Sequence, residues 1–146
     1  EDEAMIRLSR VGYDGSIGYL EGGFDAWKKA GKEVDTVKRI TAEQFATIHE
    51  NEKPLTIDIR KKSEFQSQHI TDAVNIPLNE INNHLAEFPK DKPFNVHCAG
   101  GYRSMIAASM LKQRGWDNFS DVIGGFTEIA KTNVPKSEYI CPSTML

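Results

Sequence analysis

The residues best equipped for chemistry stand together in one stretch, Val96-His97-Cys98-Ala99-Gly100-Gly101-Tyr102-Arg103-Ser104. A cysteine follows an apolar run, two glycines come behind it, and an arginine stands where a helix is expected to open. Backbone N–H groups turned into such a loop, with the positive end of a helix beneath them, form a cradle for negative charge. A thiol at the mouth of that cradle should ionise easily and act as a nucleophile. The alternative is a buried structural cysteine, the commoner role of a lone thiol. Two glycines and an arginine so close behind have no packing purpose, which favours the reactive reading.

The flanking elements must hold the loop in place. Residues 93–97 read as a short buried strand, and residues 105–114 as a helix, with apolar side chains recurring at three- and four-residue spacing. Upstream, Thr41-Ala42-Glu43-Gln44 carries the capping-box pattern and opens a helix through Phe45, Ile48 and His49. Leu55-Thr56-Ile57-Asp58-Ile59 is a strand, and Ser63-Glu64-Phe65 begins a helix ending near His69-Ile70. Ala73-Val74-Asn75-Ile76-Pro77 is a strand stopped by proline. A helical segment over 78–85, a strand over 119–123 and a helix over 125–130 complete the unit. Short apolar strands alternating with helices predict an α/β fold, a doubly wound, mostly parallel five-stranded sheet. Ligands in such sheets sit beyond the carboxyl ends of the strands, where both Asp58 and Cys98 fall.

A chain of 146 residues suffices for one domain with a real core. A hydrophobic share of 39% and a charged share of 27% fit a globular protein, and no apolar run approaches the ~18 residues of a membrane span. A net charge of −3 argues against nucleic acid as a partner. Two cysteines, Cys98 and Cys141, are too few for a disulfide framework and point to a reducing, cytoplasmic setting. The four histidines show no metal-ligand spacing, and neither metal nor cofactor is expected.

Part of the chain repeats. Gly12-Tyr13-Asp14 and the later Gly22-Gly23-Phe24 echo Gly115-Trp116-Asp117 and Gly124-Gly125-Phe126, at offsets of 103 and 102 residues. Helix, glycine stop, short strand, Gly-Gly turn and helix is the shared content. The expected organisation is therefore a truncated, cysteine-less unit over residues 1–31 and a linker over 32–39. A complete domain over 40–135 and a tail over 136–146 follow. The first segment's apolar residues (Met5, Ile6, Leu8, Tyr19, Leu20, Phe24, Trp27) should need a partner surface. Glu1 in place of an initiator Met suggests a piece of a longer polypeptide.

Taken in order, Ile57-Asp58-Ile59-Arg60, Glu64-Phe65, His69-Ile70, Ala73-Val74-Asn75-Ile76-Pro77, Cys98 with Arg103-Ser104, and Gly124-Gly125-Phe126 resemble the rhodanese, or thiosulfate sulfurtransferase, homology domain. The likeness covers roughly residues 38–135, and residues 1–31 resemble the end of a preceding unit of that kind. The loop from Cys98 to Ser104 is also similar to that of rhodanese units fused behind a metallo-β-lactamase-fold domain, as in persulfide dioxygenase fusions. An upstream domain of that type is thus an expected partner within the same polypeptide. Two positions depart from the pattern: Gln68 stands where the family has Gly, and Ile129 where it often has Trp.

The resemblance implies transfer of sulfane sulfur through a persulfide on Cys98, from thiosulfate or a low-molecular-weight persulfide to a thiol or other thiophilic acceptor. It places Cys98 and Arg103 at the chemistry, with Ala99, Gly100, Gly101, Tyr102 and Ser104 forming the anion-binding loop. Asp58 and Arg60 are expected to brace it, the carboxylate accepting hydrogen bonds from the loop or from Arg103. His97 should point away from Cys98, His69 should be a structural hydrogen-bonder, and His49 and His84 should lie on the surface. Two rival readings remain. A non-catalytic interaction module is one. The other is a phosphatase or arsenate reductase, whose loop needs five residues between Cys and Arg to wrap four oxygens; only four intervene here.

Overall fold

A computed structural model describes residues 2–9 and 15–141, and the chain divides into two compact units, one ending at Thr36 and one beginning at Val37. The first unit holds α1 (Asp2–Ser9) and α2 (Gly23–Lys29). Gly22 and Gly23 take the left-handed conformation (φ 75° and 55°) that turns the chain into α2. The Trp27 indole donates to the Glu33 carbonyl at 2.7 Å, and Lys28 caps the Phe24 ring. The strand expected before the Gly-Gly turn does not form, since a strand needs a neighbour to take its backbone bonds. Met5, Ile6, Tyr19, Leu20, Phe24 and Trp27 are exposed. Gly12-Tyr13-Asp14, the start of the expected repeat, and the Leu8 side chain lie outside the described residues.

The second unit is a five-stranded sheet in the order β1-β5-β4-β2-β3, parallel throughout. Its strands are β1 (Arg39–Ile40), β2 (Leu55–Asp58), β3 (Val74–Asn75), β4 (Phe94–His97) and β5 (Phe119–Val122). Between them run α3 (Ala42–Glu52), α4 (Lys62–Ser67), a 3-10 segment (Leu78–Asn83), α5 (Tyr102–Gln113) and α6 (Gly125–Ile129). The doubly wound α/β sheet is as expected. Two details differ. Arg39 belongs to the sheet, opposite Asp121, and not to a linker. The segment after Pro77 is 3-10 rather than α-helical, a short form suited to so tight a connection.

Sequence dictates these elements locally. Thr41 accepts from the Gln44 amide at 3.2 Å while the Gln44 side chain accepts from the Thr41 amide at 2.9 Å, the reciprocal cap read from the pattern. The central strand β4 is buried at every residue, as expected of a parallel strand covered on both faces. Side chains alternate across the sheet. Ile57, Ile59, Phe94, Val96, Cys98, Leu111, Trp116 and Phe119 fill the core on one face. Ile40, Phe45, Ile70, Val122, Ile129 and Val134 fill the other. Ile129, where the family often has Trp, is wholly buried there, so the smaller side chain still closes that core.

Two expectations need correction or refinement. His49 is buried (4% exposed) with its ring against Phe45, not on the surface, because the inner face of α3 turns it toward the second core. Residues 136–140 are docked along α4. The Ser67 carbonyl takes the Ile140 amide and the Ser67 hydroxyl donates to the Ile140 carbonyl, each at 2.8 Å. Gln68, in place of Gly, is extended (φ −165°) and reaches the Ser137 carbonyl, so no conformation special to glycine is needed there. Among the described residues no helix is long and apolar enough to cross a membrane.

Candidate active site

The site grows from the end of β4. Cys98 follows the strand directly, and Gly101 turns the chain with φ 98°, a conformation that only glycine takes at little cost. α5 then opens at Tyr102, three residues sooner than the apolar periodicity predicts, because Gly101 acts as its cap. Tyr102, Arg103 and Ser104 therefore sit in the first helical turn, where amides lack intrahelical partners and face the loop.

Those donors gather on the sulfur. The Gly101 amide donates to Cys98 Sγ at 3.1 Å, and the Ser104 hydroxyl lies 3.6 Å from it. In the thiol form Sγ–H donates to Ser104 Oγ, while that hydroxyl donates to the Gly101 carbonyl at 3.2 Å. On ionisation the hydroxyl can turn to donate to the thiolate instead. Burial pushes the Cys98 thiol up, but hydrogen bonds from the Ser104 hydroxyl and from the Ser104, Gly101 and Gly100 amides outweigh it and bring it below its ordinary value. Cys98 is 1% exposed, while Gly100 in its loop is exposed and a side chain there would meet nothing within 4 Å. Tyr102 is 81% exposed and stands at the rim.

One prediction follows from the donor count. Ser104→Ala removes the hydroxyl and should raise the thiol pKa, moving the midpoint of iodoacetamide alkylation of Cys98 to higher pH by at least ~0.5 unit. Rates measured between pH 5 and 10 give both midpoints. An unmoved or lowered midpoint contradicts the role given to Ser104.

A clasp absent from the sequence reading holds the loop from behind. The Cys98 carbonyl accepts from the Phe126 amide at 2.7 Å. The Ala99 carbonyl accepts from both the amide and the hydroxyl of Thr127, at 3.0 and 2.9 Å. This approach explains Gly124-Gly125. At Gly125 (φ 56°) an added Cβ would run into the Cys98 carbonyl oxygen and lie 2.8 Å from that of Ala99. The Gly-Gly-Phe signal was visible in the sequence; its grip on the cysteine loop was not.

Arg103 leans outward. Its Nη1 and Nη2 donate to Glu64 at 2.6 and 2.8 Å, a two-pronged pair between α5 and α4. The Arg103 hydrogen bonds hold the Glu64 carboxyl below the usual range, and Glu64 raises Arg103 in turn. Glu64 stands in the resembling pattern, yet the sequence reading gave it no role. Beside this pair lies a groove of about 540 Å³ whose lining includes Ile59, Pro77 and Leu78 together with Lys61, Lys62, Glu80 and Arg103.

Asp58 and Arg60 do not reach the loop as expected. The Asp58 carboxylate takes the Arg60 amide at 2.9 Å, Nε at 2.9 and 3.0 Å, and Nη2 at 2.6 Å, and none of its hydrogen bonds among the described residues comes from Arg103. Two residues apart at the end of β2, they close on each other first. Arg60 then donates to the Gln68 carbonyl at 2.8 Å and lies over the Phe126 ring at 4.0 Å. The pair supports the site through the helix that clasps it.

His97 faces away from the sulfur. Its Nδ1 lies 3.2 Å from the Cys98 carbonyl, which as an acceptor fixes Nδ1 as the protonated nitrogen. Its Nε2 lies 3.9 Å from Asp58 and has no hydrogen-bond partner among the described residues. Burial lowers its pKa from the ordinary 6.5, against the pull of Asp58, and keeps it neutral. The unfolded chain therefore takes up this proton sooner than the folded one. Stability from this residue is complete above pH 6.5 and declines by about 1.4 kcal/mol per pH unit as pH falls toward the depressed folded value. Denaturant titrations at pH 5 to 8 should show this slope, and His97→Gln should flatten it. An equal slope in the variant would assign the acid sensitivity elsewhere.

Residues 41–132 match the rhodanese-like domain family. The thiosulfate sulfurtransferase GlpE of Pseudomonas syringae is 35% identical over 99 residues, 68% of this chain and 92% of that protein. The adenylyltransferase and sulfurtransferase uba4 of Ogataea parapolymorpha is 33% identical over 92 residues, 62% of this chain; the chain spans only 23% of that longer protein. A crystal structure of a rhodanese-related protein from Thermoplasma volcanium, 31% identical, matches with a TM-score of 0.61 over 68% of this chain and 97% of that one.

Proposed function

The chain belongs to the rhodanese-like domain family, and from that membership and the Cys98 loop we propose that it is a sulfurtransferase working through a Cys98 persulfide. The Cys98 thiolate attacks the outer sulfur of thiosulfate; a new S–S bond forms, the donor's own S–S bond breaks, and sulfite leaves with the electron pair. A thiophile then attacks the outer sulfur of the persulfide. With cyanide it departs as thiocyanate and the thiolate is restored, so no external oxidant or reductant enters. In the cell the donor is thiosulfate or a small persulfide and the acceptor a thiol. A chain with only two cysteines suits a cytoplasmic setting.

The observation that carries this reading is the Gly101 amide on Cys98 Sγ at 3.1 Å within a loop that spends only four residues before Arg103. Donors converge on a single sulfur, and Arg103 is turned to Glu64 instead of into the loop as an oxyanion clamp. These features weigh against phosphate chemistry. The loop's resemblance to units behind metallo-β-lactamase-fold domains supports a second part of the proposal, an upstream domain as partner in the same polypeptide. Steady-state assays of thiosulfate:cyanide transfer and of p-nitrophenyl phosphate hydrolysis on one preparation test the reaction class. Transfer without hydrolysis is expected; hydrolysis without transfer overturns it, and neither activity would favour an interaction module.

A further inference from the structure

Arg103, the cation suggested by the sequence, is spent on Glu64. A second arginine stands beside the loop with most of its guanidinium uncommitted. Arg39, in β1, donates through Nε to Asp121 Oδ2 at 2.9 Å. Asp121 is wholly buried whereas the Arg39 side chain is 42% exposed, so the pair is anchored at the carboxylate and open at the cation. Among the described residues Asp121 Oδ1 is buried without a hydrogen-bond partner, and the side-chain bond this carboxylate takes comes from Arg39. β1 and β5 end on the same side of the sheet as Cys98, since the strands are parallel. A Cβ built on Gly101 would lie 3.9 Å from Arg39 Nη2, and the Gly101 amide is the one that donates to Cys98 Sγ at 3.1 Å. Those short steps keep the guanidinium within roughly a Debye length of the sulfur, about 10 Å at 0.1 M salt.

We propose that Arg39, held in place by Asp121, is a specificity-determining residue that draws anionic reagents to Cys98 and disfavours neutral ones. It deepens the sulfur-transfer reading by naming the charge of the donor, and it rests on that reading for the physiological substrate. The assignment rests on geometry: one cation, monodentate and solvent-facing, beside the residue that binds the reacting sulfur. Arg103 and Arg60 are each held by two or more bonds to a carboxylate, whereas Arg39 makes one.

The test uses the bare thiol and so fails separately from the transfer reaction. Alkylation of Cys98 is followed by peptide-resolved mass spectrometry with iodoacetate, an anion, and iodoacetamide, its neutral counterpart, at low ionic strength. Arg39→Met is expected to lower the ratio of the two rates about threefold to tenfold. Arg39→Lys should restore most of it, and added salt should narrow the difference between wild type and Arg39→Met. Since Arg39→Met leaves Asp121 buried and unpaired, the double variant Arg39→Met/Asp121→Asn repeats the measurement without that charge. Equal changes with both reagents would show that Arg39 only braces the loop, and an unchanged ratio would remove it from the site; either overturns the proposal. A ratio that responds in a protein giving no persulfide from thiosulfate would overturn the sulfur-transfer reading and leave the Arg39 assignment standing.

Discussion

Asp58→Ala should destabilise the second unit by about 3–5 kcal/mol, read as a shift in the denaturant midpoint. Asp58 is fully buried and Arg60 is 4% exposed, so removing the carboxylate leaves a guanidinium stranded in a dry interior. That cost is a large part of the roughly 5–15 kcal/mol by which domains are stable. The loss should spread beyond the pair, since Arg60 also ties the Gln68 carbonyl and underlies Phe126, whose amide holds the Cys98 carbonyl. The double variant Asp58→Leu/Arg60→Met removes both charges and should recover at least half of the lost stability. A single variant less than 1 kcal/mol from wild type would mean that the pair is not buried as described.

Cys98→Ser carries the largest functional effect. A hydroxyl in this cradle is a poor nucleophile toward sulfur and cannot hold a persulfide, so thiosulfate:cyanide transfer should fall at least ~10³-fold. Stability should change little, because the two side chains are close in size and the bonds from Phe126 to the Cys98 carbonyl and from Thr127 to the Ala99 carbonyl persist. Transfer retained within tenfold of wild type would exclude Cys98 as the nucleophile and would turn attention to Cys141, which is exposed.

Much of the scaffold was legible because its signals are local. The Thr41–Gln44 cap, the glycines behind Cys98 and the short apolar strand runs each act within a few residues and appear where the sequence places them, while α5 opens three residues before its apolar periodicity. What was not legible depends on which elements meet. The partner of Arg103 is Glu64, 39 residues earlier, and the clasp on Cys98 comes from Phe126 and Thr127, nearly 30 residues later. Asp58 was misjudged for the opposite reason: its partner, Arg60, was nearer in sequence than the loop it was expected to brace. His49 shows the same limit, since a polar residue on a helix gives no sign that its face turns inward. Arg39 gave no signal at all, being an ordinary charged residue until β5 brought Asp121 beside it.

The central claim is that Cys98 accepts sulfane sulfur, and intact-mass spectrometry after brief exposure to thiosulfate tests it most directly. The protein should gain the mass of one sulfur atom, localised to the peptide bearing Cys98, lost on adding cyanide, and absent in Cys98→Ser. A wild-type protein of unchanged mass after thiosulfate and after glutathione persulfide in parallel, with its thiol still open to alkylation, would contradict the account.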